Sequence, residues 1–536
     1  MAESPAEDAA RESVRTRRWL AVAEVGLIFL VFFIHAGWLP PTANEPHYLS
    51  KAKHYWNPEW CARDFFLNSA DAHQVFYWTF GWLSLWLPFP ALAWTGRLLT
   101  WALLAAGWRT MSWAIVPTPL CSVLSAGLFV ALNDRLNMAG EWVVGGVEAK
   151  GFAYAFVLFA LAAITRNRWS LGWLLLGIAS SLHVLVGGWS TLAAAVAWLS
   201  SPRERPPFRS MLPGLVGGAI LALPGLIPAL MLTRNVPPAV ANQANVAYVF
   251  ERLPHHLLPQ TFPPQFLARH GMLILAWTLL CVFVPVDSRD RWLRRFVTVG
   301  IGIAVVGFLL STLVQVDKQL AAKLLRYYWF RTSDAVVPLG VAVLATRFIL
   351  RARDTGLRAR YVGALAATML IVTAHLSEIV LRRNRQMRPP ADGHIASLDD
   401  WRASCAWARL HTPADSLFLV PRLSQTFRWY TGRAEVVTRK DVPQDAAGIV
   451  EWQRRIHDIY MGDMVDGAPM WRDSLAAVGT KRVVEVGQKY GADYIITEAQ
   501  PPLALEVVGP AGAYAIYRIP RDRRPTRTQE PVQASD

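Results

Sequence analysis

The chain has 536 residues, a formal net charge of +15, 53% hydrophobic residues and 24 tryptophans, yet only 17% of it is charged. A soluble globular protein seldom combines these values, whereas a multi-span membrane protein does so routinely. The positive balance falls mostly in short arginine runs between apolar segments, where it faces anionic lipid, so membrane lipids are expected partners and nucleic acid is not.

In chain order, residues 1–18 read as a cytoplasmic tail, because Arg15, Arg17 and Arg18 flank the first apolar run. That run, 19–39, is too long for a signal-peptide core and lacks a small-x-small cleavage site, so it reads as a retained anchor. Further apolar runs lie at 89–108, 112–132, 151–165, 169–184, 187–200, 211–232, 271–286, 297–316, 335–350 and 361–381. The expected fold is mainly α, a polytopic membrane protein of about eleven spans over 19–381. The two short runs at 169–184 and 187–200 read as a pair meeting at Gly187-Gly188.

The outer loop 40–88 is polar, then aromatic. Its last part, 74–90 (QVFYWTFGWLSLWLPFP), is barely long enough to cross and is closed by proline, so it reads as an interfacial helix. With 74–90 outside, the loops left in the cytoplasm carry roughly three times the Lys/Arg density of the opposite set. From about 382 the composition turns soluble. Helices are expected at 398–410, 448–461 and 474–490, and strands at 416–420, 435–438, 494–497 and 514–519. Residues 382–519 thus read as a small α/β domain outside the membrane, and 520–536 as a disordered tail. Cys61, Cys121, Cys281 and Cys405 have no metal-binding spacing; Cys61 and Cys405, both outside the spans, leave a disulfide open.

Charged residues at the rim of a membrane are costly and mark candidate sites. Glu45 and Asp64 in the first outer loop are the candidate catalytic carboxylates, with Asn44, His47, Lys51 and Arg63 beside them. Partial desolvation beneath an interfacial helix would raise a carboxylate's pKa and strengthen it as a base. The ordinary alternative is helix capping, or pairing of Asp64 with Arg63 or Lys53. In the loop 133–150, Lys150 could neutralise a phosphate while Glu148 orients it or a sugar hydroxyl; a structural ion pair is the alternative. The loop 317–334 is unusually basic for an outer loop, and Arg326, Arg331 and Asp334 suit phosphate recognition by bidentate arginine. Headgroup snorkelling, or an Arg331–Asp334 pair on one helix face, would explain the same residues. His183, before Gly187-Gly188, is a sugar or phosphate contact or a packed core histidine. His255-His256 lack a third ligand for zinc, and their loop, 233–270, could serve as a lid. Arg428, Arg433, Lys440 and Asp441 could face an acceptor or simply be solvated.

The order Asn44-Glu45-Pro46-His47-Tyr48-Leu49-Ser50-Lys51-Ala52, then Trp60 and Arg63-Asp64-Phe65-Phe66, resembles the GT-C superfamily of integral membrane glycosyltransferases. Several of its members carry an acidic residue, often Asp-Glu, after the first span, then a Tyr-Leu helix and a second carboxylate near an aromatic. Asn44 stands here in place of Asp, which shifts weight to Glu45 and Asp64. The run Thr426-Phe427-Arg428-Trp429-Tyr430 … Lys440-Asp441-Val442-Pro443-Gln444-Asp445 … Glu451-Trp452 also resembles an uncharacterised bacterial family of multi-span proteins. The GT-C resemblance implies transfer of a hexosyl or pentosyl group from a polyprenyl-phosphate donor to a lipid, glycan or protein acceptor, and one base plus one anionic leaving group implies inversion at the anomeric carbon. It also implies a bacterial inner-membrane location with a periplasmic C-terminal domain. Nothing in the sequence requires a metal, although Glu45, Asp64 and Glu148 offer the oxygen ligands that Mg2+ or Mn2+ takes. A transporter or flippase, or a non-catalytic membrane subunit, is the alternative.

Overall fold

The computed structural model describes residues 5–465 and 468–520; the tail 521–536 lies outside the described residues. The chain divides into two compact units. The first comprises Met1–Pro58, Ser69–Gly393 and Val442–Trp452; the second comprises Glu59–Asn68, His394–Asp441 and Gln453–Asp536.

The first unit is helical. Six of its helices are long and apolar enough to cross a membrane: Thr16–Ala36, Phe208–Met231, Pro264–Phe283, Arg291–Gln315, Arg331–Asp354 and Arg358–Arg385. Three shorter apolar helices, Ala149–Thr165, Trp169–Leu182 and Val184–Leu199, lie among them. In four of the six, less than a quarter of the apolar window is buried by protein, leaving the rest to face lipid; in Arg331–Asp354 it is 72%, which makes this the central helix. Close packing uses small residues. A Cβ on Gly218 would lie 2.4 Å from the Trp173 carbonyl oxygen, and one on Gly177 would lie 2.2 Å from the Gly218 oxygen, so two backbones touch where side chains would part them.

Two boundaries differ from the expectation. The helix Phe89–Ile115 runs on through Arg109, and the next, Cys121–Leu136, starts only after Pro117 and Pro119. Arg109 stays inside its helix because its Nε bonds Glu24 Oε2 at 3.0 Å and its guanidinium lies over Trp113. The second correction concerns the helix pair. It breaks at His183 rather than at Gly187-Gly188: His183 is extended, and its Nδ1 accepts the Val186 amide at 3.3 Å. Gly187 is needed inside the helix, since a Cβ there would lie 2.2 Å from Ser180 backbone. The interfacial segment forms two short pieces, Gln74–Thr79 and a 3-10 turn Gly81–Leu85, with Trp78, Trp82 and Trp86 exposed.

In the second unit, strands β1 (Leu417–Leu419), β2 (Ala434–Glu435), β5 (Tyr494–Glu498) and β6 (Tyr514–Arg518) form one sheet in the order β2-β1-β5-β6. β1 runs parallel to β2 and to β5, and β6 is antiparallel. A separate hairpin of β3 (Met461–Val465) and β4 (Ala468–Trp471) was not expected from the sequence. The helix Leu398–His411 places Trp401, Cys405 and Ala408 in the core with Phe418, Ile496 and Ile516. The third expected helix begins late, at Thr480–Tyr490, after Gly479 at φ +91°. Its neighbour, Ala446–Tyr460, is split between the two units. All four cysteines are free thiols, Cys61 and Cys405 included.

Candidate functional site

The helix Glu45–Trp56 opens directly after the first span and carries Glu45, Lys51 and His54 inward. Glu45 is wholly buried, and its two oxygens take Arg97 Nε and Nη2, each at 2.6 Å. The amides of Thr42 (2.8 Å) and Val147 (3.1 Å) complete its shell. Arg97, equally buried, also donates to the Trp38 carbonyl. This carboxylate ties the first outer loop to the helix Phe89–Ile115 and to the loop before Glu148. With four donors on two oxygens, its acceptor capacity is largely spent on the protein.

A second set of ionisable groups forms a chain through the same unit. Lys51 Nζ donates to the Ser69 carbonyl at 2.5 Å and lies 4.0 Å from Asp71 Oδ2. Asp71 Oδ1 accepts the His73 amide at 2.7 Å and lies 3.0 Å from His73 Nδ1. Burial alone would raise the Asp71 carboxyl, but His73, by charge and hydrogen bonds, and then Lys51 hold it well below the usual carboxylate range. The His73 and His183 rings are 5.1 Å apart. His183 Nε2 is 3.4 Å from Arg331 Nη1, and Arg331 Nε is 2.9 Å from Glu141 Oε2. Glu141 accepts Tyr154 OH at 3.0 Å and Lys150 Nζ at 3.3 Å. Lys150 Nζ lies 3.2 Å from Glu148 Oε1 and 3.9 Å from the centroid of the Trp142 ring. Glu148 Oε2 accepts Asn44 Nδ2 at 3.1 Å, while its buried Oε1 accepts no hydrogen bond from any described residue. Tyr48 packs against His73; burial first, then Glu148 and Asp71, push its phenol well above its ordinary range, so it stays a neutral hydroxyl.

Lys51, Asp71, His73, Glu141, Glu148, Lys150 and His183 are all buried, and Arg331 nearly so. Burying so many charges is expensive unless each is answered, and here each charge has an opposite or polar neighbour. The arrangement sets Lys150 beside Glu148 Oε1, a carboxylate oxygen with spare acceptor capacity, and Arg331 beside Glu141.

Of the residues singled out in the sequence, the structure brings Asn44, Lys51, Glu148, Lys150, His183 and Arg331 together. Glu45 sits beside them behind Arg97. Asp334 serves the backbone: it accepts the amides of Met138 (2.8 Å), Ala139 (2.9 Å) and Glu141 (3.2 Å), lies 3.6 Å from His270, and makes no pair with Arg331. Arg326 bonds Asn245 Oδ1 at 2.5 Å, outside the chain of charges. His47 packs against Tyr48. His256 Nδ1 is hydrogen-bonded with the Ala139 carbonyl at 2.5 Å.

Arg63 and Asp64 belong to the second unit. Arg63 binds Asp493 (2.6 Å) and the Gly491 carbonyl (2.5 Å). Asp64 Oδ2 accepts Arg428 Nη1 and the Glu435 amide, both at 2.9 Å, and Oδ1 accepts the Leu67 amide at 3.0 Å. Arg428 also binds Asp441, so neither is a solvated surface group. Glu435 completes this buried cluster, its carboxyl pushed up to about 8 by burial, partly offset by Arg428. Among the described residues, no group of three His, Cys, Asp or Glu side chains is arranged to hold a metal ion.

Sequence reasoning passed over Asp71, His73, Arg97 and the role of Glu141. Two signals were available: the polar pair Asp71-x-His73 just before an aromatic segment, and an arginine inside the apolar run of 89–108.

By fold and site, the chain is a multi-span membrane protein with a buried ionisable cluster at the loops between its helices. Residues 399–459 match a family model described as a domain of unknown function (DUF6798). No curated protein sequence matches the chain. Among solved structures it is similar to the arabinofuranosyltransferase AftD from Mycobacteria, at 15% identity and a TM-score of 0.42, over 94% of this chain and 42% of that one. The chain therefore spans less than half the length of that protein, and a likeness this distant defines neither substrate nor mechanism.

Proposed function

We propose that the protein is a membrane glycosyltransferase that moves a sugar from a polyprenyl-phosphate donor to an extracytoplasmic acceptor, in the inner membrane of a bacterium with the C-terminal unit in the periplasm. The observation that carries this reading is the buried chain from Lys51 to Glu148, in which Lys150 lies beside a Glu148 oxygen that accepts no hydrogen bond from any described residue and Arg331 is held next to it in the chain on Glu141. Buried ionisable groups in a membrane protein are retained for function far more often than for stability.

In this reading Glu148, rather than Glu45 or Asp64, takes the proton of the acceptor hydroxyl. Attack at the anomeric carbon breaks the bond to the donor phosphate. Lys150 and Arg331 stabilise the charge that grows on the leaving phosphate. One base and one anionic leaving group give inversion. Glu45 acts as a positioning residue, through the Val147 amide one residue before Glu148.

The test compares carbohydrate and lipid from cell envelopes of a deletion strain complemented with wild type or Glu148→Gln. The proposal expects both the deletion and the variant to lose the same glycosylated species at normal protein level. Full rescue by Glu148→Gln would overturn the assignment of the base. The run of buried ionisable groups from Lys51 to Glu148 favours a second reading, proton-coupled transport. That reading expects proteoliposomes to acidify on substrate addition, with no change of glycan structure.

A further inference from the structure

Apart from this cluster, the first unit carries a half-open cavity of ≈820 Å3, the size of a small-ligand site. Its walls come from the end of the first span, the end of the helix Cys121–Leu136 with the loop after it, and the end of the helix Arg358–Arg385. Three arginines line it: Arg382 and Arg385, three apart in the last turn of that helix, and Arg388 beyond its end. Arg383, between them, turns away and donates to the Gly37 carbonyl at 3.1 Å, which anchors the helix end and leaves its neighbours on the cavity side. Asp134 is the one carboxylate of the lining, and it is already engaged, 3.4 Å from Arg135 Nε and 4.0 Å from His375 Nδ1. Two indoles, Trp38 and Trp142, supply the apolar wall. A helix dipole accounts for basic residues in a last turn, but not for a half-open cavity with aromatic walls and a further arginine past the helix end.

We propose that this cavity binds a phosphate monoester carried on an apolar or sugar group, with the phosphate on Arg382 and Arg385 and the carried group between Trp38 and Trp142. Guanidinium forks match phosphate oxygens bidentately, and indole faces accept both alkyl chains and sugar rings. Trp142 faces the cavity and also carries Lys150 on its ring, so a ligand here would abut the charged cluster without entering it. The inference stands on the cavity and holds whether or not the cluster is catalytic.

The experiment uses the full chain in phosphatidylcholine nanodiscs, titrated by calorimetry with n-decyl phosphate and, separately, with inorganic phosphate. Expected is saturable binding of decyl phosphate that weakens about tenfold or more in Arg382→Gln/Arg385→Gln, a loss typical of a charged hydrogen-bonded contact. Arg358→Gln/Arg360→Gln, at the other end of the same helix, should bind like wild type, which separates the cavity from general basicity. Tighter binding of decyl phosphate than of inorganic phosphate would assign a phosphate borne on a lipid or other apolar group. Equal binding with the same arginine dependence would leave the anion site and make free phosphate its ligand. Absence of binding, or binding indifferent to Arg382 and Arg385 in a variant that unfolds at the wild-type temperature, would overturn the proposal.

Discussion

Two glutamates of the first unit meet opposite surroundings, and their substitution should fail in opposite ways. Glu45 answers the buried Arg97 with both oxygens, so Glu45→Gln leaves a guanidinium half-paired away from water. Breaking one partner of a buried pair costs about 3–5 kcal/mol, and thermal unfolding in detergent should show a loss of that order. Glu148→Gln keeps the volume and leaves Lys150 its other partner, Glu141, so it should cost less than Glu45→Gln, about 1–2 kcal/mol, while any transfer activity falls roughly a hundredfold or more. In the second unit Glu435 gives a pH signature. Its folded-state value, about 8, lies above the ordinary 4.5, so the protonated acid contributes stability that is complete below the unfolded value. That contribution is lost as pH rises through the folded value. Wild type should therefore lose on the order of a few kcal/mol between about pH 5 and 8, and Glu435→Gln should flatten the curve. Heat unfolding of both proteins across that range, followed in the full chain, checks the slope.

At the level of elements, glycines decide where helices touch. Gly218 and Gly177 meet backbone to backbone, and any side chain at 218 must push the helices Phe208–Met231 and Trp169–Leu182 apart. Gly218→Val should cost at least about 1–3 kcal/mol as overpacking, whereas Gly188→Ala, with open space around its Cβ position, should be neutral. Comparative unfolding of the two variants tests this. The same residues show what hydropathy leaves out. The pair Gly187-Gly188 looked like a break between spans, but Gly187 is there for contact with Ser180, and the break comes one turn earlier at a histidine that caps its own helix. Arg109 looked like a loop residue because its partner, Glu24, lies far away in sequence. The strands of the sheet were legible as β-rich runs bounded by turns, since each is buried on both faces and needs no partner pattern to be seen. The hairpin Met461–Val465 with Ala468–Trp471 was not, because it has no such apolar run.

For the whole molecule, composition reveals the membrane class, and the rim charges point to loops that hold buried ionisable groups. Which charges meet is set by tertiary assembly: Glu45 finds Arg97, and Asp64 finds Arg428, 364 positions away. Membrane topology is the remaining global property, and it turns on the segment 74–90. Its two helical pieces have six and five residues, roughly 9 Å each at helical rise, far short of ~30 Å of hydrocarbon. A segment broken in this way lies along the interface, with Trp78, Trp82 and Trp86 exposed where interfacial indoles belong. If it does not cross and the eleven longer helical segments expected as spans all do, the loops holding Arg205 and Arg289 share the side of the N-terminus, and Ile519 lies on the other. Alkaline phosphatase, active only outside the cytoplasm, should therefore be silent when fused after Arg205 or Arg289 and active after Ile519. A crossing at 74–90 would invert all three readings at once, which would place the C-terminal unit in the cytoplasm and leave the proposed extracytoplasmic transfer without its compartment.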